Sequence, residues 1–181
     1  MKGNCFINLF IVFLCAIFAN AASEESHVHG HVDLNIVKEN ELLEITLISP
    51  AVNIVGFEHL VSNAEERSAV DKANLQLGQH EKMFSFQDDS CRHLKTSMVQ
   101  SGPAEKNRDE PSHDGHQHVR DKNAHSEFEA LYRYRCVKEV TSLSVNLKDY
   151  FSRVSQINAR WIKDGAQGGT TLNTAKGQII F

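Results

Sequence analysis

The chain has 181 residues, of which 41% are hydrophobic and 23% charged, with a formal net charge of −4 and ten histidines. That mildly acidic balance, with no Lys/Arg cluster forming a stripe that could neutralise phosphates, argues against nucleic acid as a partner. A chain of this length suits one domain around one core and leaves no room for two.

The amino terminus reads as an export signal. Lys2 precedes an apolar run from Phe6 to Phe18, about 13 residues, inside the roughly 7–15 of a signal-peptide core and short of the ~20 that a spanning helix needs. Ala19-Asn20-Ala21 offers small residues for cleavage, so 1–21 is read as a signal peptide and 22–181 as a single domain with no membrane insertion after cleavage. Leu14 stands before Cys15 where a lipoprotein signal wants a small residue, which argues against lipidation. Cys5 and Cys15 leave with the signal. Cys91 and Cys136 then remain, an even number in an oxidising compartment, which predicts a Cys91–Cys136 disulfide.

From His27 the side chains alternate, with Val28, Val32, Leu34 and Ile36 on one side and His27, His29, His31, Asp33 and Asn35 on the other, the pattern of a half-buried strand. Glu39-Asn40 reads as a turn, and Leu43, Ile45 and Leu47 continue with period two until Pro50, completing a hairpin. Asn63, with Glu66 three residues on, marks a helix start. The helix should run to about Leu77, with Ala69, Val70, Ala73 and Leu77 as its apolar stripe and Gly78 as terminator. Met83 to Phe86 reads as a short strand. Residues 101–124 are almost without apolar side chains and cannot offset their ordering entropy by burial, so they are expected to form a mobile, histidine-containing loop inserted in the domain. Leu131–Cys136, Ile157–Ile162, Thr170–Leu172 and Gln178–Phe181 read as strands, with Asp164-Gly165 and Gly168-Gly169 as turns. The expected fold class is α+β: an antiparallel sheet with one or two helices packed on one face.

The histidines carry the chemistry. If His27 and His29 share a strand face they lie about 6.8 Å apart along it, close enough to converge on one ion, whereas His31 lies too far along to join them. Glu58 and His59, in a loop before the helix, and His125, just after the insertion, are further candidates. Each offers a nitrogen or carboxylate donor. His113, His116 and His118 form a low-complexity tract suited to weak, fast metal binding, and His31 is a supporting or secondary candidate. Neutral imidazoles with a carboxylate suit Zn2+, while Cu2+ would bind the same groups more tightly by intrinsic order. His80-Glu81 opens like a zincin motif but lacks the second histidine, and there is neither a nucleophile elbow nor a phosphate-binding glycine loop, so no catalytic residues are assigned. Two other readings compete: a structural or interaction module with incidental histidines, and a zinc hydrolase with Glu58 as general base.

His27-Val28-His29-Gly30-His31, Ser49-Pro50-Ala51, Gly56-Phe57-Glu58-His59, Cys91, the histidine-bearing insertion, His125-Ser126-Glu127-Phe128 and Tyr132-Arg133-Tyr134-Arg135-Cys136 come in an order that resembles the ZrgA-type family of periplasmic zinc-binding proteins. The resemblance extends to Trp161 and to the terminal Gln178 to Phe181. It implies a non-enzymatic, zinc-binding protein of the periplasm, linked with zinc acquisition beside an ABC-type metal importer. It also implies that His27, His29, Glu58, His59 and His125 form the metal neighbourhood. The insertion here is short, with three closely spaced histidines.

Overall fold

The computed structural model describes residues 28–104 and 126–181. The expected hairpin is present as β1 (His31–Glu39) and β2 (Leu42–Pro50), antiparallel around Asn40, whose left-handed φ of 52° is one that asparagine tolerates. β5 (Glu127–Cys136) pairs with β2, and β4 (Cys91–Ser101) with β5, both antiparallel. On the other side β7 (Gln156–Lys163) runs parallel to β1 and is followed by antiparallel β8 (Ala166–Leu172). The resulting six-stranded order is β4-β5-β2-β1-β7-β8.

The fold is α+β as expected, but with two sheets rather than one. β3 (Phe84–Phe86), β6 (Ser142–Asn146) and β9 (Lys176–Ile180) form the second. Val32, Leu34 and Ile36 of β1, Leu43, Ile45 and Leu47 of β2, and Phe128, Ala130 and Tyr132 of β5 are the buried alternates of the large sheet. They meet Phe84, Leu143, Val145 and Ile179 of the small one in a single cluster. Edge-to-face ring pairs stitch the two sheets together, Phe84 on Tyr132 at 5.0 Å and Phe86 on Tyr134 at 4.8 Å between centroids. Burial pushes both tyrosine hydroxyls upward from their ordinary pKa, helped by Tyr134 at Tyr132 and by Glu81 at Tyr134.

Three short helices complete the architecture: α1 (Ala51–Ile54), α2 (Ala64–Leu77) and α3 (His80–Met83). α2 starts as its sequence dictates. Asn63 Oδ1 accepts from Glu66 N at 2.8 Å, and the Glu66 carboxylate reaches back one residue further than a simple capping box, to the Ser62 N–H and hydroxyl at 2.8 and 2.9 Å. Val70, Ala73 and Leu77 are buried, and the Tyr132 hydroxyl donates to Leu77 O at 2.9 Å, satisfying a carbonyl at the helix end.

Several boundaries differ from the sequence expectation. The extended run does not begin at His27: Gly30 takes φ +86°, which folds residues 29 and 30 into a turn, and β1 starts only at His31. Gly168 and Gly169 lie inside β8 rather than in a turn, because the Trp161 indole occupies the space above Gly168, where a Cβ would come within 2.3 Å of it. α1, α3, β4 and β6 are not expected from the residue pattern, and α3 takes Met83 from the strand expected over Met83 to Phe86. The proposed signal peptide and most of the 101–124 insertion fall outside the described residues. Among the described residues no helix is long and apolar enough to cross a membrane.

Cys91 and Cys136 face each other across β4 and β5 and are disulfide-bonded, closing a 45-residue separation. In the chain-entropy account a loop of that length stabilises by about 4 kcal/mol. Urea denaturation of the Cys91→Ser/Cys136→Ser protein should therefore show a loss approaching about 4 kcal/mol, and an unchanged midpoint would mean that the bridge contributes nothing to folding.

Candidate metal centre

The candidate ligands His29 and Glu58 come from two turns, the first fastened by a buried amide and the second by a hydroxyl. Asn53, in α1 and 2% exposed, accepts from Gly30 N at 2.7 Å through Oδ1 and donates to His31 O at 2.8 Å through Nδ2. Its side chain thus binds the backbone at Gly30 inside the turn that carries His29 and at His31 just after it. Gly30 is needed there twice over. Its φ of +86° is costly for a residue with a Cβ, and an added Cβ would lie 2.6 Å from Ser155 Oγ. From the other side the Gly30 carbonyl accepts from Ser155 N at 2.8 Å and Gln156 N at 3.0 Å, locking the turn to the start of β7.

The same α1 leads into the second turn. Gly56, with φ +93°, lies against the Arg153 guanidinium, which a Cβ would approach to 3.0 Å, and Phe57-Glu58-His59 follow. The Glu58 carbonyl accepts from Ser126 Oγ at 2.7 Å, and Ser126 O accepts from Ala51 N at 2.8 Å, so the start of β5 is fastened to both ends of this segment. The result brings His29 Nε2 to 3.9 Å from Glu58 Oε1. Two donors on one tetrahedral zinc ion stand roughly 3.3 Å apart, so this pair is close to ligating distance. As a mere ion pair it would stabilise little, because the His29 side chain is 71% exposed.

His59 is engaged differently. Its Nδ1 is 3.0 Å from Leu60 O, its Nε2 is 3.8 Å from Glu66 Oε1, and its ring stacks on Phe57 at 4.9 Å. The Ser62 backbone N–H holds the Glu66 carboxyl below its usual range against the opposing effect of desolvation, and the Ser62 hydroxyl, His59 and Asn63 add to the lowering. His31 is half-buried at the start of β1 with Nδ1 3.4 Å from Gln156 Nε2. Of the expected ligands, then, His29 and Glu58 are brought together, while His59 and His31 contact other groups. His27, His113, His116, His118 and His125 lie outside the described residues. Among the described residues no group of three His, Cys, Asp or Glu side chains is gathered to hold a metal ion.

The family model of ZrgA family zinc uptake proteins matches residues 26–181. The chain belongs to that family. A comparison with curated proteins finds no significant match. Membership of the ZrgA zinc uptake family gives the His29–Glu58 pair a chemical context: it takes in all of the described residues, both turns included.

Asn53, the residue on which the arrangement rests, was not singled out from sequence. Its one signal is a lone amide inside the apolar Ala51-Val52-Asn53-Ile54-Val55 run, where an unbonded side chain would be costly. Asn53→Ala strips partners from Gly30 N and His31 O together and should cost about 2 kcal/mol or more in urea denaturation. Asn53→Asp, which keeps the acceptor for Gly30 but loses the donor to His31, should fall between the two. Equal stability of all three proteins would contradict this role.

Proposed function

We propose that this ZrgA-family protein is exported to the periplasm, where it captures Zn2+ and carries it for uptake without catalysing a reaction. The observation that carries the reading is the approach of His29 Nε2 to within 3.9 Å of Glu58 Oε1, across turns that Asn53 and Ser126 fasten together. Imidazole and carboxylate are donors that suit zinc. The family resemblance adds His27 and His125, the sequence neighbours of Val28 and Ser126, to the same ligand set. His59 joins by turning from Glu66 toward Glu58, its immediate neighbour in the chain. Together these donors exceed the four that a closed zinc site needs.

His113, His116 and His118 serve as a faster, weaker collecting tract, since ordering their segment costs about 1–2 kcal/mol per residue fixed. Delivery would be to an ABC-type metal importer, the partner that the family resemblance suggests. A site closed by these donors would favour carrying, whereas an open water position beside the Glu58 carboxylate would favour hydrolysis.

Imidazole ligands release metal as they protonate, which free imidazole does near about pH 6.5. Competition titrations should show tighter zinc binding at pH 7.5 than at pH 5.5, and His29→Ala or Glu58→Gln should weaken the tight site by about tenfold or more at pH 7.5. Equal affinity at both pH values would contradict histidine ligation. Unaltered binding by both variants would remove the pair from the site.

A further inference from the structure

A second histidine cluster lies at the opposite end of β5, beside the disulfide. His80, the first residue of α3, and His93, on β4, stack face to face with centroids 3.6 Å apart and planes 14° from parallel. Tyr134 of β5 meets both rings edge-on, at 5.7 Å from His80 and 5.4 Å from His93. The groups facing the stack come from each element around it. Glu81 of α3 places Oε2 at 3.6 Å from His80 Nε2, Thr96 of β4 has its hydroxyl 2.9 Å from His93 Nε2, and β5 contributes Tyr134. The Tyr134 hydroxyl is buried and has no hydrogen-bond partner among the described residues.

Imidazole lone pairs lie in the ring plane, so two rings stacked face to face do not aim at one metal ion as they stand. What the stack does control is charge. Two protonated imidazoles at this separation, half shielded from water, repel strongly. We propose that the His80–His93 stack is a proton-operated latch, holding α3 against β4 while no more than one of its two imidazoles is protonated and releasing it when both are.

The environment of His80 agrees. Burial holds it below the usual imidazole range, His93 adds to the lowering, and Glu81 pulls the other way. The sign follows from linkage. As pH falls below about 6.5 the unfolded chain takes up a proton that folded His80 resists, so the stability this group confers is complete above that pH and is lost as the solution becomes more acid. Glu81 neutralises the first proton, which lets the singly charged stack persist. Among the described residues Glu81 is the carboxylate paired with the stack, and it is already engaged by the first proton. Release frees a four-residue helix that stands between α2 and β3, and uncovers the edge of Tyr134.

The test uses the full chain with a chelator present, so that it does not depend on the zinc site. Histidine-ring NMR from pH 8 to 4.5 should show His80 and His93 titrating in two coupled steps separated by about 1 unit or more. Exchange protection of the α3 amides, corrected for intrinsic rate, should fall by about tenfold through the second step. His93→Gln should convert His80 to a single step at higher pH and abolish the second-step drop in α3 protection, whatever its starting level. Independent single-step curves would overturn the latch, as would unchanged α3 protection through both steps of the unaltered chain, a result that needs no variant. In a parallel sample without chelator, one equivalent of zinc that shifted both rings together would also overturn it, in favour of a metal site.

Discussion

One buried amide sets the geometry of the turn that carries His29. Asn53 stands in a helix of four residues, too short to be stable by its own hydrogen bonds, and is fixed by a buried strand before it and a fastened loop after it. With Oδ1 it stops the Gly30 N–H from being orphaned, and with Nδ2 it does the same for the His31 carbonyl. A buried amide that completes two backbone hydrogen bonds specifies a single conformation, because any rearrangement leaves polar groups without water or partner. The turn bearing His29 is therefore a fixed feature on a surface where an exposed imidazole would otherwise sample many positions.

The sheets supply the frame in which that amide works. β5 runs the length of the domain, pairs with β2 on one side and β4 on the other, and separates two histidine neighbourhoods. At its start, Ser126 fastens the Glu58 loop. At its far end Cys136 is bridged to Cys91, and Tyr134 backs the stacked pair His80 and His93. Between them Phe128, Ala130 and Tyr132 are fully buried, so the ends are joined by close-packed core. The exposed His29 and Glu58 loops stand on a rigid scaffold, which is the arrangement that precise placement of side chains requires.

Much of this was legible in the residues, and the reasons for the remainder are physical. β1 and β2 alternate cleanly because one face of each is buried and the other solvated, and α2 announces itself by Asn63, Glu66 and a three-four apolar spacing. β4 has no such pattern. It is an edge strand with irregularities between His93 and Lys95 and between Met98 and Gln100, and each shift resets which side chains face inward. β6 is five residues long, and its two inward positions, Leu143 and Val145, are too few to establish a period. The glycine at position 30 looked like one step of a strand, when it is the residue that ends the turn. That distinction depends on a positive φ, which alternation does not encode. As for the site, composition and family resemblance put His29 and Glu58 among five expected donors without pairing them, while the anchoring roles of Asn53 and Ser126 left no signal, because side-chain to backbone bonds across 23 and 68 residues leave no local trace.

The central claim is that zinc is held first by the folded domain and only afterwards by the insertion. Histidine-ring NMR of the full chain at pH 7.5, with zinc added in fractions of an equivalent, tests it most directly. The account predicts that the ring signals of His29 and His125 shift and saturate within the first equivalent, with His113, His116 and His118 responding later. Early saturation of those three, with His29 unmoved, would contradict it.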